Sequence, residues 1–304
     1  MPGRRKLSEE NLMAIPFFKM QGLGNDYIYI VADACPATPA SMIRRMSDRH
    51  FGIGSDGVVF VLPAGGKTAD VRMRMFNSDG TEAEMCGNAV RCVGKLAYEQ
   101  GLARVNPLRV ETAAGIKVLD LRIRDGVVSG ARVDMGKPEL RPSRVPVALE
   151  GDAKHCIGHR LDAGNGVRVE VSAVSMGNPH AVLFVDDVGE ADVHGLGTRL
   201  ERHPFFPRHT NVEFAQIIDR NTVRLRVWER GAGETLACGT GACATAVACV
   251  LNGFTDRKVD VRLPGGSLYI EWDEDTGHVF MTGPAETVFT GSWPENLCQE
   301  QENK

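Results

Sequence analysis

The sequence predicts an α+β fold of two pseudo-symmetric domains, each a curved, mostly antiparallel sheet or barrel wrapped around a central helix. Three observations predict it. The chain matches itself at an offset of 152, with VRMRMFNSDGTEAEMCGNAV (Val71 to Val90) falling on VRLRVWERGAGETLACGTGA (Val223 to Ala242). In both copies an alternating strand leads through a polar turn to a cysteine and then to a stretch with helical spacing. The remaining segments are short, β-rich and punctuated by glycine.

The elements follow in order. GNDYIYI at Gly24 and GNPHAVLF at Gly177 form a second matched pair, and RHFGIG at Arg49 and RHTNVE at Arg208 a third, looser one. All three pairs keep the same order in both halves. VRMRMF and VRLRVW alternate apolar and charged residues with period two, the mark of a strand with one buried face. SDGTEAE and RGAGETL are rich in turn formers. AVRCVGKLAYEQ and GACATAVACVLN then carry apolar residues at helical spacing, and Gly101 and Gly253 close them as glycines past a helix end. Cys86 and Cys238 therefore fall at helix N-termini, where aligned peptide dipoles favour a thiolate and predict lowered thiol pKa values. The small residues of the second helix predict close packing. VRVEVSAVSM, VDVRLPGGSLYIEW and HVFMTG supply further strands.

Composition excludes several functions. Lys plus Arg number 35 against 39 Asp plus Glu, without a basic tract, so neither nucleic acid nor an anionic membrane is an expected partner. No apolar run reaches the roughly 18 residues of a spanning helix, and MPGRRKLSEENLMAIPFF lacks a signal-peptide core, so a cytoplasmic protein is expected. The eight cysteines should be thiols, and no CxxC pair predicts a zinc site. HCIGH, His155 to His159, has no second ligand cluster, so no metal is expected. Cys92, Cys243 and Cys249 read as small buried residues within helices, and Cys35, Cys156 and Cys298 as loop or tail filler. GTGACA, Gly239 to Ala244, fits a GxGxxA dinucleotide fingerprint, but VRLRVW stops ten residues earlier, so a nicotinamide site is not expected.

The segments KMQGLGNDYIYI, DRHFGIGSDG, FNSDGTEAEMCGNAVRC, SMGNPHAV, HTNVEF and WERGAGETLACGTGACA together resemble the diaminopimelate epimerases, pyridoxal-phosphate-independent amino-acid epimerases. AETVFTGSW resembles that family's final strand. The resemblance implies a domain over 15–131 completed by 284–304, a second over 132–283, and a cleft between them. It implies no cofactor, a homodimer, and interconversion of LL- and meso-diaminopimelate for lysine and peptidoglycan. Inverting an α-carbon requires a base on one face and an acid on the other, so two thiols would share one titration. By resemblance, Cys238 would take the proton of the LL isomer and Cys86 would supply one. Amides of Gly87, Asn88, Gly239 and Thr240 would bind the α-carboxylate. Glu229 and Asn77 would hold the reacting ammonium, and Glu229 and His180 would tune the thiols. Arg230, Asn178 and Asn211, with Asn77, would bind the distal amino-acid end, beside Asn25. The chain departs from some relatives at Gly57, where they carry a glutamine ligand contact. A related racemase, such as one for histidine, would keep both cysteines but change the distal pocket.

Overall fold

The computed structural model describes residues 14–36, 40–149, 151 and 153–294. The N-terminal stretch before Ala14, the tail after Pro294 and Cys298 lie outside the described residues.

The first half runs through β1 (Ala14–Gly22), β2 (Asn25–Val31), α1 (Ala40–Ser47), β3 (Gly57–Pro63), β4 (Val71–Asn77), β5 (Glu82–Ala83), α2 (Gly87–Glu99), β6 (Leu108–Thr112), β7 (Gly115–Arg124) and β8 (Val127–Gly136). The second begins with β9 (Cys156–Asp162) and repeats that order. It comprises β10 (Arg168–Ser175), β11 (Pro179–Phe184), α3 (Val193–Glu201), β12 (Asn211–Asp219), β13 (Thr222–Glu229), β14 (Gly233–Thr235), α4 (Gly239–Leu251), β15 (Lys258–Leu263), β16 (Gly266–Trp272) and β17 (Val279–Pro284). The last strand, β18 (Glu286–Pro294), returns to pair with β1, as β9 pairs with β10. All strands form one continuous sheet, and its two halves meet where β8 and β17 pair antiparallel. The division expected at 131/132 falls inside β8.

Among the described residues each half holds the expected central helix, α2 or α4, and one further helix, α1 or α3. Strands β2 and β3 are parallel, as are β11 and β12, and a parallel pair needs a crossover, which α1 and α3 supply. These crossovers cover the outer face of the sheet while α2 and α4 fill its inside. Val59 and Val61 pack inward with α2, whereas Val58, Phe60 and Leu62 pack outward with Met42, Ile43 and Met46 of α1. Burial on both faces explains the unbroken apolar run GVVFVLP, which lacks the alternation that marks a one-sided strand.

The two helices predicted from spacing are present with their stops. Gly101 and Gly253 follow α2 and α4 with φ of 74° and 75°. α4 is buried from Gly241 to Cys249, as its small residues predict. Cys156, expected as filler, instead opens β9 and packs in the core of the second half.

Gly57 is a steric requirement. A Cβ there would lie 2.0 Å from the Phe76 carbonyl oxygen and 2.9 Å from the Tyr27 ring, so this backbone has no room for a side chain at position 57. Gly57→Ala is expected to destabilise the chain by about 1–3 kcal/mol through overpacking. An unchanged denaturant midpoint would contradict that steric account.

Candidate active site

Equivalent hairpins deliver the two cysteines. Arg74 on β4 forks onto Glu82 of β5 (Nε to Oε1, 2.7 Å), and Arg226 on β13 forks onto Glu234 (2.6 Å) just before β14 ends. Each pinned hairpin runs straight into a helix whose N-cap is the cysteine, Cys86 for α2 and Cys238 for α4. The helix starts are close because their first residues are glycines. A Cβ built on Gly239 would lie only 3.6 Å from the Gly87 Cα and 3.1 Å from the Met281 sulfur.

A cleft of about 460 Å³ opens where these helix ends meet, and a second of about 720 Å³ adjoins it, sharing Asn25, Tyr27, Asn77, Glu229, Arg230 and Ala237. Of the residues predicted from sequence, Asn25, Asn77, Gly87, Asn88, Asn178, Glu229, Arg230, Gly239, Thr240 and both cysteines line the smaller cleft. His180 and Asn211 stand behind this lining. Both are almost fully buried, and Asn211 spends its amide on the backbone. Its Nδ2 donates to the Pro179 carbonyl (2.9 Å), and its Oδ1 accepts from the Arg230 amide (2.9 Å). Asn211 thus positions the Arg230 backbone, while the Arg230 guanidinium, at the surface, donates to the Arg208 carbonyl (3.0 Å).

Each thiol meets a different set of groups. Cys86 is half-buried and contacts Asn25 Oδ1 (3.4 Å), an amide held from behind by Asp56, which accepts from Asn25 Nδ2 (2.8 Å). Cys238 is buried, accepts from the Gly241 amide (3.4 Å) and lies 3.5 Å from the Thr240 hydroxyl. Glu229 accepts from the Thr235 hydroxyl (2.6 Å). His180 lies 2.6 Å from Glu213 through Nδ1 and 3.0 Å from Asn178 Oδ1 through Nε2.

The lowered thiol pKa values expected from the helix ends are not found. Desolvation pushes both thiols up, Cys238 well above its usual value with Glu229 and Glu213 adding repulsion. Backbone amides at the helix starts, of Ala89 and Asn88 beside Cys86 and of Gly241 beside Cys238, do pull downward, but loss of water outweighs these partial charges. Burial likewise raises the carboxyls of Glu229 and Glu213.

Two buried charged residues at the site were missed from sequence. Glu213 interrupts the apolar run NVEFA, and Arg91 interrupts the apolar helix AVRCVG; both are fully buried. A lone charge inside an apolar run was the available signal. The dinucleotide fingerprint fails structurally, since the hairpin strand β14 stands between β13 and α4. Among the described residues no group of three or more His, Cys, Asp or Glu could hold a metal ion, and no helix is long and apolar enough to cross a membrane.

The family model for diaminopimelate epimerase matches residues 17–141 and 172–288. The diaminopimelate epimerase of Desulfovibrio desulfuricans is 56% identical over 286 residues, covering 92% of this chain and 99% of that protein. Those of Acetivibrio thermocellus and Methanococcus maripaludis are each 52% identical, covering 90% of this chain and 97% and 98% of their own lengths. Among solved structures, a hydroxyproline epimerase from Agrobacterium vitis superposes with a TM-score of 0.68 at 17% identity, covering 92% of each chain. A PhzF-family phenazine biosynthesis protein from Bacillus anthracis gives 0.66 at 17%, covering 92% of this chain and 99% of its own. At such identities these two structures speak for the two-domain fold alone.

Proposed function

Because the chain belongs to the diaminopimelate epimerase family, we propose that it inverts one α-carbon of 2,6-diaminopimelate with Cys86 and Cys238 as opposed acid and base. The observation that carries this reading is the pair of N-cap cysteines at two helix starts that meet in one cleft. A single base cannot remove a proton from one face and return one to the other without moving. Two thiols from two halves can.

In the proposed direction from LL to meso, the Cys238 thiolate removes the α-proton and the Cys86 thiol protonates the opposite face. The carbanion requires electrostatic stabilisation. First-turn amides of a helix lack intrahelical partners, so those of Gly87, Asn88, Gly239 and Thr240 are available to the substrate α-carboxylate at both positive helix ends. Glu229 and Asn77 hold the reacting ammonium, and Arg230 presents a planar fork to the distal carboxylate beside Asn178. Asn25 and Asn211 support this lining from the β-strand ends, and His180 and Glu229 tune the thiols. No cofactor enters this scheme. The domains proposed are 15–131 with 284–304, and 132–283, with the cleft between them.

The test follows the proton. In deuterium oxide at low conversion, inverted product from LL-diaminopimelate is expected to carry deuterium at its new centre while recovered substrate stays protiated. The incoming proton belongs to the second thiol, which has exchanged with solvent. Protium retained in the first-formed product would overturn the two-base assignment. A histidine racemase reading is not favoured, since relatives at 50–56% identity are diaminopimelate epimerases. The enzyme is further proposed to be a cytoplasmic homodimer, and the exposed Val288 and Phe289 on β18 offer apolar surface for a second copy. A monomer mass by light scattering, or recovery outside the cytoplasmic fraction, would contradict this.

A further inference from the structure

The pseudo-symmetry that equates the two cysteines places opposite charges behind them. At the offset of the repeat, Arg91 of α2 falls on Cys243 of α4. Matching the parallel pairs, in which Tyr27 stands opposite Gly57 and His180 opposite Asn211, sets Tyr27 on His180 and Val59 on Glu213. Asn77 falls on Glu229. Thus the N-terminal half has a cation where its twin has a neutral thiol, and neutral groups where its twin has two carboxylates and a histidine.

Each charge occupies a slot made by missing Cβ atoms. Arg91 is fully buried and, among the described residues, forms no ion pair with a carboxylate. A Cβ on Gly22 of β1 would lie 3.0 Å from its Nη2, and one on Gly283 of β17 would lie 3.1 Å from its Cζ. Its donors go to the Gly87 carbonyl (2.9 Å), Asn88 Oδ1 (3.0 Å) and the Pro284 carbonyl (3.0 Å), so the guanidinium sits beneath the first turn that Cys86 caps. A guanidinium keeps its charge in a protein interior. On the other side, a Cβ on Gly241 would lie 2.9 Å from Glu213 Oε1 and 3.3 Å from the Cys238 sulfur, so that carboxylate reaches the first turn of α4. Glu213 Oε2 is buried without a hydrogen-bond partner among the described residues. Its Oε1 lies 2.6 Å from His180 Nδ1, so the carboxylate balances whatever charge the imidazole carries. The pair therefore offers Cys238 no net positive charge.

Resting on the two-thiol reading, we propose that this inequality places the resting proton: before substrate binds, the negative charge of the pair lies on Cys86 and the proton on Cys238, with Arg91 as the positioning residue. At Cys86 itself Glu229, across the cleft, repels a thiolate more than Arg91 attracts it, but Glu229 and Glu213 together bear on Cys238, where they are the leading charges. The other groups facing Cys86 are Asn25 and the buried Tyr27 of β2. Facing Cys238 are Glu229, Glu213 and Thr240, of which the carboxylates oppose a second negative charge, while His180 stands behind Glu213. In the proposed assignment the resting enzyme is thus poised for the meso isomer. Reaction of the LL isomer first requires the proton to pass to Cys86.

The experiment is a pH titration of ultraviolet thiolate absorbance in Cys238→Ser and Cys86→Ser, each referenced to the double variant to remove the other cysteines and the tyrosines. The Cys86 thiolate is expected at lower pH than the Cys238 thiolate. Arg91→Met should move the Cys86 midpoint up and leave that of Cys238 in place, and Arg91→Lys should retain most of the original gap. Equal midpoints, or Cys238 titrating first, would overturn the proposal, as would Arg91→Met moving both midpoints together, the mark of a merely structural role. If Arg91→Met does not fold, the comparison of the two serine variants decides alone. The two-thiol reading itself fails by a different result, turnover retained in either serine variant.

Discussion

Cys86→Ala and Cys238→Ala are each expected to lose epimerase activity by about a hundredfold or more, the contribution of one positioned acid or base. The loss should be equally deep in both directions of the reaction, because each thiol serves as base one way and acid the other. Neither substitution should unfold the protein. Both residues are N-caps at the cleft, Cys86 is only half-buried, and Cys238 is one small member of a core that α2 and α4 fill with many other side chains. Cys92→Ala is the control: its thiol is buried within α2, contacts the Gln21 carbonyl at 3.4 Å, and should be nearly silent in turnover. More than about a tenth of wild-type activity in either cleft variant is incompatible with a loss of this size.

Glu229→Gln is expected to separate activity from stability. The carboxylate lies at the cleft within reach of the proposed ammonium site, so losing its charge should lower turnover by roughly a hundredfold, as for removal of one preorganised electrostatic partner. Stability should move the other way. Burial raises the Glu229 pKa in the folded state, so folding binds a proton there. The stability this contributes is complete below the carboxylate's unfolded pKa and is lost as pH rises through the folded value. At neutral pH the glutamate therefore costs stability that glutamine does not, and the Thr235 hydroxyl can still donate to the amide oxygen. The variant is expected to unfold at the same temperature as the parent or a higher one near neutral pH, and to lose this advantage on acidification. A variant that loses stability as well as activity would indicate a structural role for the charge.

Much of this protein was legible in the sequence because the signals are local or duplicated. Strands β4 and β13 announce themselves by alternation, since each buries Val and Met or Val and Leu on one face and leaves arginines on the other. Helices α2 and α4 follow from spacing and from glycines that take the left-handed conformation after their last turns. The repeat then placed Cys86 and Cys238 at equivalent positions without any knowledge of contacts. α1 escaped notice because its signal, three apolar residues in SMIRRMS, is short, and its reason for existing is a parallel strand pair visible only in three dimensions.

Sequence alone determined which residues reach the cleft by way of the backbone, namely the caps, the helix-start glycines and the residues ending paired strands. Tertiary structure decided what surrounds them. His180 and Asn211 sit in matched motifs yet lie behind the lining, because Asn211 satisfies backbone groups of β11 and of Arg230 that burial would otherwise leave unpaired. The helix ends predicted activated thiols, but desolvation, a property of the whole fold, raised them. Arg91 and Glu213 acquire their opposed places only when Gly22, Gly283 and Gly241, from three distant elements, close around them. Periodicity is written in neighbouring residues, whereas the field at a buried atom is summed over residues that folding brings together.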